Sequence, residues 1–191
     1  MTSAAALVPA LETPLLDALT AKGRAFLGTR HAILGGAMSW VSERHLVAAI
    51  SNAGGFGLIA CGAMTPALLE AEIRGTQALT TMPFGVNLIT MHPQLMELIA
   101  VCRATGVTHV ALAGGLPPAA AIAAIGEFAK AIGFAPGLAI ARKLLRSGIG
   151  ALVIEGAEAG GHVGPVSLAV LAQEILPELP DATIFAAGGI G

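Results

Sequence analysis

The sequence predicts an α/β protein, a (β/α)8 or TIM barrel that is truncated after its seventh strand. Seven short apolar or β-branched runs alternate with helical patterns along the 191 residues. Such alternation requires a parallel sheet with right-handed crossovers, either a closed barrel or an open doubly wound sheet. Small or functional residues follow strand after strand, which favours the barrel, because an open sheet binds ligands mainly at its switch point.

The elements follow one another with recognisable helix start and stop residues. A helix over residues 14–19 precedes the first strand and is expected to plug the lower end of the barrel. The residues predicted to begin the next three helices are Ser42, Thr65 and Pro93. The predicted stop residues are Gly54, Gly106 and Gly148. The strands are predicted at residues 32–35, 57–60, 84–88, 109–112, 131–134, 151–154 and 183–186.

The chain is predicted to be a single domain over residues 1–191 that lacks its C-terminal βα unit. A barrel of this kind usually needs about 250 residues. An unclosed barrel leaves its first and last strands with unpaired edges and opens its apolar interior to water. We therefore expect either a second chain to cover these edges, as in a homo-oligomer, or the sequence to be a fragment.

Composition favours a small-molecule partner. With 12% charged residues and a net charge of -2, the chain has no basic patch for nucleic acid and no polybasic membrane anchor. Glycine and proline interrupt the long apolar runs, and Glu12 and Asp17 lie where a signal peptide would be uncharged, so a cytoplasmic protein is predicted. Cys61 and Cys102 lack the spacing of metal ligands, so no metal site is predicted.

The segment over residues 155–164 follows the sixth strand and carries an acid, a glycine pair and a histidine, His162. Glycines at a strand end let a flat or phosphorylated ligand approach the backbone, and an imidazole can titrate near neutral pH. A histidine in a glycine-rich loop is more often simply at the surface, but its position after a strand favours catalysis. The segment is therefore interpreted as a cofactor site with a base.

Five motifs in order resemble the nitronate monooxygenase (2-nitropropane dioxygenase-like) family. They are residues 36–39, 51–57, 83–88, 155–164 and 186–190. This family comprises FMN-dependent barrel flavoproteins related to the type II enoyl-ACP reductases. The chain departs from the family pattern at Ala37, where a proline commonly precedes the methionine, and at residues 113–118, which replace a segment rich in lysine or serine in some members.

The resemblance implies a role for ten residues. His162 would be the catalytic base or electrostatic partner near the flavin. Ala37 and Met38 would lie along the isoalloxazine, although Met38 alone would more often be a core residue. Asn87 would contact the pyrimidine edge, unless it caps a turn. Glu155 would accept hydrogen bonds from ribityl hydroxyls or loop amides. The remaining implied FMN-binding residues are Ala159, Gly160, Gly161, Gly188 and Gly189.

The expected function is that of an FMN-dependent oxidoreductase, by resemblance a nitronate monooxygenase that oxidises alkyl nitronates with O2. An alternative is an NAD(P)H-dependent flavin reductase acting on a quinone or an enoyl thioester. A third interpretation is a non-catalytic truncated fragment or pairing module. A hydrolase is disfavoured because the sequence has no GxSxG motif.

Overall fold

The computed structural model describes residues 14–161 and 164–189, in which helices and strands alternate. The helices are α1 Pro14–Leu27, α2 Arg44–Asn52, α3 Pro66–Leu79, α4 Leu95–Ala104, α5 Ala119–Gly126, α6 Leu138–Arg146 and α7 Leu168–Ile175. The strands are β1 Leu34–Gly35, β2 Phe56–Ala60, β3 Phe84–Ile89, β4 His109–Ala113, β5 Lys130–Phe134, β6 Ala151–Glu155 and β7 Ile184–Ala187. Each strand overlaps its predicted run.

The strands form one parallel sheet in the order β1-β2-β3-β4-β5-β6-β7. Neighbours in sequence are therefore neighbours in space, which is the strand order of a (β/α)8 barrel and not of a doubly wound sheet. The predicted fold class is confirmed, with seven strands of the barrel in the described residues. The pairing places Ala60 opposite Asn87, and Glu155 opposite Ala187, so the strand ends lie side by side.

Side chains alternate between two apolar clusters on opposite faces of the sheet. The outer cluster lies between the sheet and its helices and includes Ile59, Val86 and Leu152. The inner cluster fills the barrel interior and combines Phe56, Leu58, Ala111, Ile132, Ala151 and Val153 with Leu27 from the last residue of α1. The last turn of α1 therefore closes this end of the barrel, whereas Leu15, Leu16 and Leu19 in the predicted helix of residues 14–19 are exposed.

Helix ends agree with the prediction better than helix starts. Thr65 accepts a hydrogen bond from the Leu68 amide as the N-cap of α3, as predicted. The prediction for Ser42 is wrong, because α2 begins at Arg44 and is capped by Glu43. The prediction for Pro93 is also wrong, since α4 begins two residues later, after N-cap Gln94. The stop residues Gly54, Gly106 and Gly148 have φ angles of 92°, 74° and 100°, which glycine adopts readily.

An ion pair between α2 and α3 fixes the start of α2. Glu72 is buried and accepts hydrogen bonds from the Arg44 backbone amide at 3.0 Å and from Arg44 Nε at 3.2 Å. These hydrogen bonds and the guanidinium charge hold the pKa of the Glu72 carboxyl below its usual range, although burial opposes the shift. The pair therefore anchors the C-terminal end of the loop that follows β1.

A buried histidine, His109, links the barrel floor to α1. Its Nε2 lies 2.9 Å from the carbonyl oxygen of Phe26, and its Nδ1 lies 2.9 Å from Thr108 Oγ1. Lys130 Nζ donates to the same Phe26 carbonyl at 2.6 Å. Burial of the ring lowers the pKa of His109 below its usual value and is the largest influence. The nearby Lys130 charge lowers this pKa further. The Phe26 carbonyl opposes the shift.

The lowered pKa of His109 predicts acid sensitivity of the fold. The folded chain favours the neutral ring. The resulting contribution to the free energy of unfolding is fully present above about pH 6.5, the ordinary pKa of histidine, and is lost as pH falls from there through the lowered pKa. The loss is about 1.4 kcal/mol for each unit by which the pKa is lowered. Urea unfolding on both sides of that range should show the loss, and His109→Gln should reduce it, since glutamine does not titrate. Equal pH dependence in both proteins would contradict this role.

Within the described residues, no helix is long and apolar enough to cross a membrane.

Candidate functional site

The predicted site residues that the structure describes lie at one end of the sheet. All strands are parallel, so their carboxyl ends share one edge. Asn87 lies near the end of β3, Glu155 ends β6, and Ala37 and Gly188 follow β1 and β7. We call this end the mouth of the barrel. In TIM-barrel enzymes this end carries the active site.

Asn87 is the strongest indication of a ligand at the mouth. It lies within β3, so the turn-capping interpretation is wrong. Its neighbours in sequence belong to the outer cluster, and its side chain therefore faces the barrel interior. The side chain is 6% exposed. In the described part of the chain, its Oδ1 is the only buried side-chain nitrogen or oxygen atom without a hydrogen-bond partner. Leaving such a group unpaired costs about 1–3 kcal/mol, which a donor on a ligand would offset.

The loop after β1 presents Met38 to solvent. Met38 is 51% exposed, so its interpretation as a core residue is wrong, whereas Ala37 packs partly buried against the inner cluster. The Met38 amide donates to Ser42 Oγ at 3.0 Å, and that hydroxyl donates to the Gly36 carbonyl at 3.1 Å. This use of Ser42 explains why it does not cap α2. It also leaves the Met38 thioether, and not its amide, for a ligand.

The loops after β6 and β7 pack against each other. A Cβ on Gly188, whose φ is 102°, would lie 2.6 Å from the Ala159 amide nitrogen. Gly189 has a φ of 69° and lies beside Glu158. At Gly160 and Gly161 an added Cβ would contact nothing within 4 Å. The structure therefore brings Ala159 and Gly188 together, as expected for residues of one site, and leaves the glycine pair accessible.

The two acids of this segment have different environments. Glu155 is half-buried at the end of β6. Glu158 is exposed and accepts a hydrogen bond from the Leu168 amide at 2.9 Å, at the start of α7. His162 lies outside the described residues, so its place at the mouth stays a prediction.

Other features of the described residues lie away from the mouth or are chemically inert. A cleft of about 410 Å³ is lined by Leu145, Gly150 and residues 178–183, at the opposite end of the sheet. Burial raises the pKa of Cys61 to about 11 and that of Cys102 to about 12, so both are inert core thiols. No group of three or more potential metal ligands occurs in the described ranges.

Sequence reasoning missed two residues that the structure makes prominent. His109 was predicted only to open a strand, and Trp40 was not singled out. Trp40 is 75% exposed in the loop after β1 and has a φ of 65°. The sequence shows neither feature, because the environment of His109 depends on a carbonyl of α1, and the φ of Trp40 depends on backbone hydrogen bonds that leave no residue pattern.

Comparison with known proteins identifies relatives of the chain. The family model for nitronate monooxygenase matches residues 21–114. The chain is 35% identical over 167 residues to the Rhodococcus jostii protein named (3aS,4S,5R,7aS)-5-hydroxy-7a-methyl-1-oxo-octahydro-1H-indene-4-carboxyl-CoA dehydrogenase, covering 85% of this chain and 46% of that protein. It is 28% identical over 177 residues to the nitronate monooxygenase of Paraburkholderia phytofirmans, covering 72% of this chain and 48% of that protein.

Solved structures agree with these matches. FabK from Thermotoga maritima superposes with a TM-score of 0.84 at 36% identity, covering 88% of this chain and 54% of that one. Nitroalkane oxidase from Streptomyces ansochromogenes superposes with a TM-score of 0.78 at 27% identity, covering 91% of this chain and 61% of that one.

The fold and the mouth define a barrel protein of the (β/α)8 class whose candidate ligand site lies at the carboxyl ends of its strands. As its motifs predicted, residues 21–114 of the chain match the nitronate monooxygenase family, and the chain is similar in sequence and structure to FabK. The chain spans about half the length of the curated relatives it matches, 46% of the Rhodococcus jostii dehydrogenase and 48% of the Paraburkholderia phytofirmans nitronate monooxygenase.

Proposed function

We propose that this protein is an FMN-dependent oxidoreductase that oxidises alkyl nitronates with O2. The observation that carries the proposal is the unpaired, buried Oδ1 of Asn87 at the mouth of the barrel. The relatives named nitronate monooxygenase and nitroalkane oxidase support this choice of substrate.

The residues at the mouth suit a flavin. Asn87 offers an unpaired acceptor and an amide donor, which match the N–H and carbonyl groups of the pyrimidine edge. The exposed Met38 side chain supplies a soft thioether for a flat ring. Gly160 and Gly161 leave room for close approach. The amides of Gly188 and Gly189 would contact the phosphate, and Glu155 would accept from ribityl hydroxyls.

The protein's share of the chemistry is binding, orientation and proton control. When bound, FMN would supply an acceptor for the electron pair of an anionic nitronate and a donor to O2. Asn87 and the glycine loops would fix the position of the ring, and the walls of the mouth would exclude water. His162 would hold or move a proton at its imidazole nitrogen beside the substrate.

A second candidate is an NAD(P)H-dependent flavin reductase acting on a quinone or an enoyl thioester. The similarity to FabK and to a CoA-thioester dehydrogenase favours it, because both exceed 30% identity. This candidate uses the same flavin site and differs in the electron donor.

The test begins with the visible spectrum of the purified protein, alone and with added FMN. The flavin-loaded protein is then mixed anaerobically with an alkyl nitronate and, separately, with NADPH or NADH. Loss of flavin absorbance with the nitronate is the expected result. Loss with the nicotinamide alone would overturn the nitronate proposal in favour of the reductase.

A non-catalytic pairing module remains the proposal from another class. β1 and β7 are the edge strands of the described sheet, and a second copy could cover them. This proposal expects a protein that stays colourless with FMN and exposes apolar surface to the dye ANS. A yellow protein that a nitronate reduces would exclude it.

A further inference from the structure

Trp40 combines an unfavourable backbone with an exposed ring. Its φ is 65°, and it is the only non-glycine residue with a positive φ in the described part of the chain. The left-handed region costs an L-residue free energy, and for a bulky side chain it is a genuine outlier. The ring is 75% exposed, so burial of the side chain does not compensate for this cost. Strained backbone of this kind is common at functional sites.

The surrounding contacts hold Trp40 at the mouth. The amides of Val41 and Ser42 both donate to the Met38 carbonyl, at 3.0 and 2.9 Å, and close a tight turn around Trp40. With Ala60 and Cys61, Trp40 lines a small cavity at the end of β2. Ala60 is the strand partner of Asn87, so the cavity that Trp40 lines and the residue that marks the ligand site lie at the ends of neighbouring strands.

Two further exposed apolar side chains lie on neighbouring loops of the mouth. Met91 follows β3 and is 79% exposed, and Leu116 follows β4 and is 49% exposed. The two loops are joined by a hydrogen bond of 3.0 Å from Thr90 Oγ1 to the Gly114 carbonyl. We call Trp40, Met91 and Leu116 the apolar rim. Residues 36–42, 89–95 and 113–118, which contain the rim, include no Asp, Glu, Lys or Arg.

We propose that the apolar rim binds the hydrocarbon body of the substrate, with Trp40 as the specificity-determining residue. The proposal deepens the proposed function, on which its substrate class rests: the protein selects nitronates with long apolar bodies over short ones. An uncharged rim loses little hydration when it is covered, and exposed apolar surface gains from contact with hydrocarbon. Each methylene that reaches the rim raises affinity about fourfold, which corresponds to about 0.8 kcal/mol.

A binding measurement tests the rim without any reaction. Trp40 is the single tryptophan of a sequence that has no tyrosine, so its fluorescence reports events at the rim. Unreactive alkyl carboxylates from propanoate to octanoate serve as nitronate-like anions. The expected result is a blue shift of Trp40 emission and affinity that rises with chain length. Affinity that does not depend on chain length would overturn the proposal.

Variants locate the effect on the rim. Met91→Ala combined with Leu116→Ala keeps the tryptophan signal and should flatten the dependence on chain length. Leu19→Ala is the matched control, because Leu19 is also 75% exposed but lies on α1, at the other end of the sheet. A steep dependence that survives the double substitution, or that Leu19→Ala removes, would contradict the proposal.

The flavin-loaded protein separates this proposal from the proposed function. Trp40→Ala should lower the ratio of kcat/KM for octane nitronate to that for propane nitronate severalfold. Trp40→Gly, which suits a φ of 65°, should lower the same ratio while keeping the fold. If no nitronate reduces the flavin but the carboxylates still show the dependence, the reaction is wrong and the rim stands. Nitronate oxidation with an unchanged ratio would reject the rim alone.

Discussion

Replacing His162 with alanine is expected to slow reduction of the bound flavin by a nitronate by about 100-fold or more, the usual loss when a general acid or base is removed. The reason is its place in the chain, between the accessible Gly161 and the start of α7. The loop carrying it packs through Ala159 against Gly188, at the mouth of the barrel. Anaerobic stopped-flow absorbance measures the rate directly.

The matched control for His162 is His31→Ala. His31 is exposed and precedes β1, at the end of the sheet away from the mouth. His31→Ala should therefore leave both the flavin spectrum and the reduction rate as they are in the parent protein. His162→Ala protein should keep its yellow colour. His162 would be removed from the mechanism if the two variants reduced the flavin at the same rate, whether that rate matched the parent protein or was slower.

Most of the fold could be predicted because it depends on local signals. Strand, turn and helix alternate along the chain, and glycines at positions 54, 106 and 148 end helices where a positive φ is needed. The start of α2 could not be predicted in the same way. Serine is a good N-cap, but the hydroxyl of Ser42 is used by Met38 and Gly36, and Glu43 replaces it. Competition between two partners for one hydroxyl is a property of the folded loop.

The candidate site was predictable to the extent that it depends on strand ends. Parallel strands bring their carboxyl ends together, so Asn87 and Gly188 could be assigned to one mouth from sequence alone. Trp40 and His109 could not be assigned. The φ of Trp40 belongs to the turn that the Met38 carbonyl closes around it, and the environment of His109 depends on the carbonyl of Phe26, 83 residues away. Neither contact leaves a pattern in the sequence.

Replacing Asn87 with leucine is expected to change stability and flavin affinity in opposite directions. Leucine has a similar size and removes the unpaired Oδ1 from the interior, so the free energy of unfolding should rise by about 1 kcal/mol. Loss of the acceptor and donor should weaken FMN binding about tenfold or more, since about 1.4 kcal/mol corresponds to a factor of ten. Urea unfolding without flavin and a fluorescence titration with FMN measure the two effects.

Thr90→Val provides the comparison that gives the Asn87 result its meaning. Thr90 is also buried near the end of β3, but its hydroxyl already donates to the Gly114 carbonyl. Valine at this position should lower stability, because it leaves that carbonyl without a partner. If Asn87→Leu lowered stability as well, the amide would be part of the fold's own hydrogen bonding. A ligand at the mouth would then have no physical basis, because the side-chain oxygen of Asn87 would not need a donor from outside the chain.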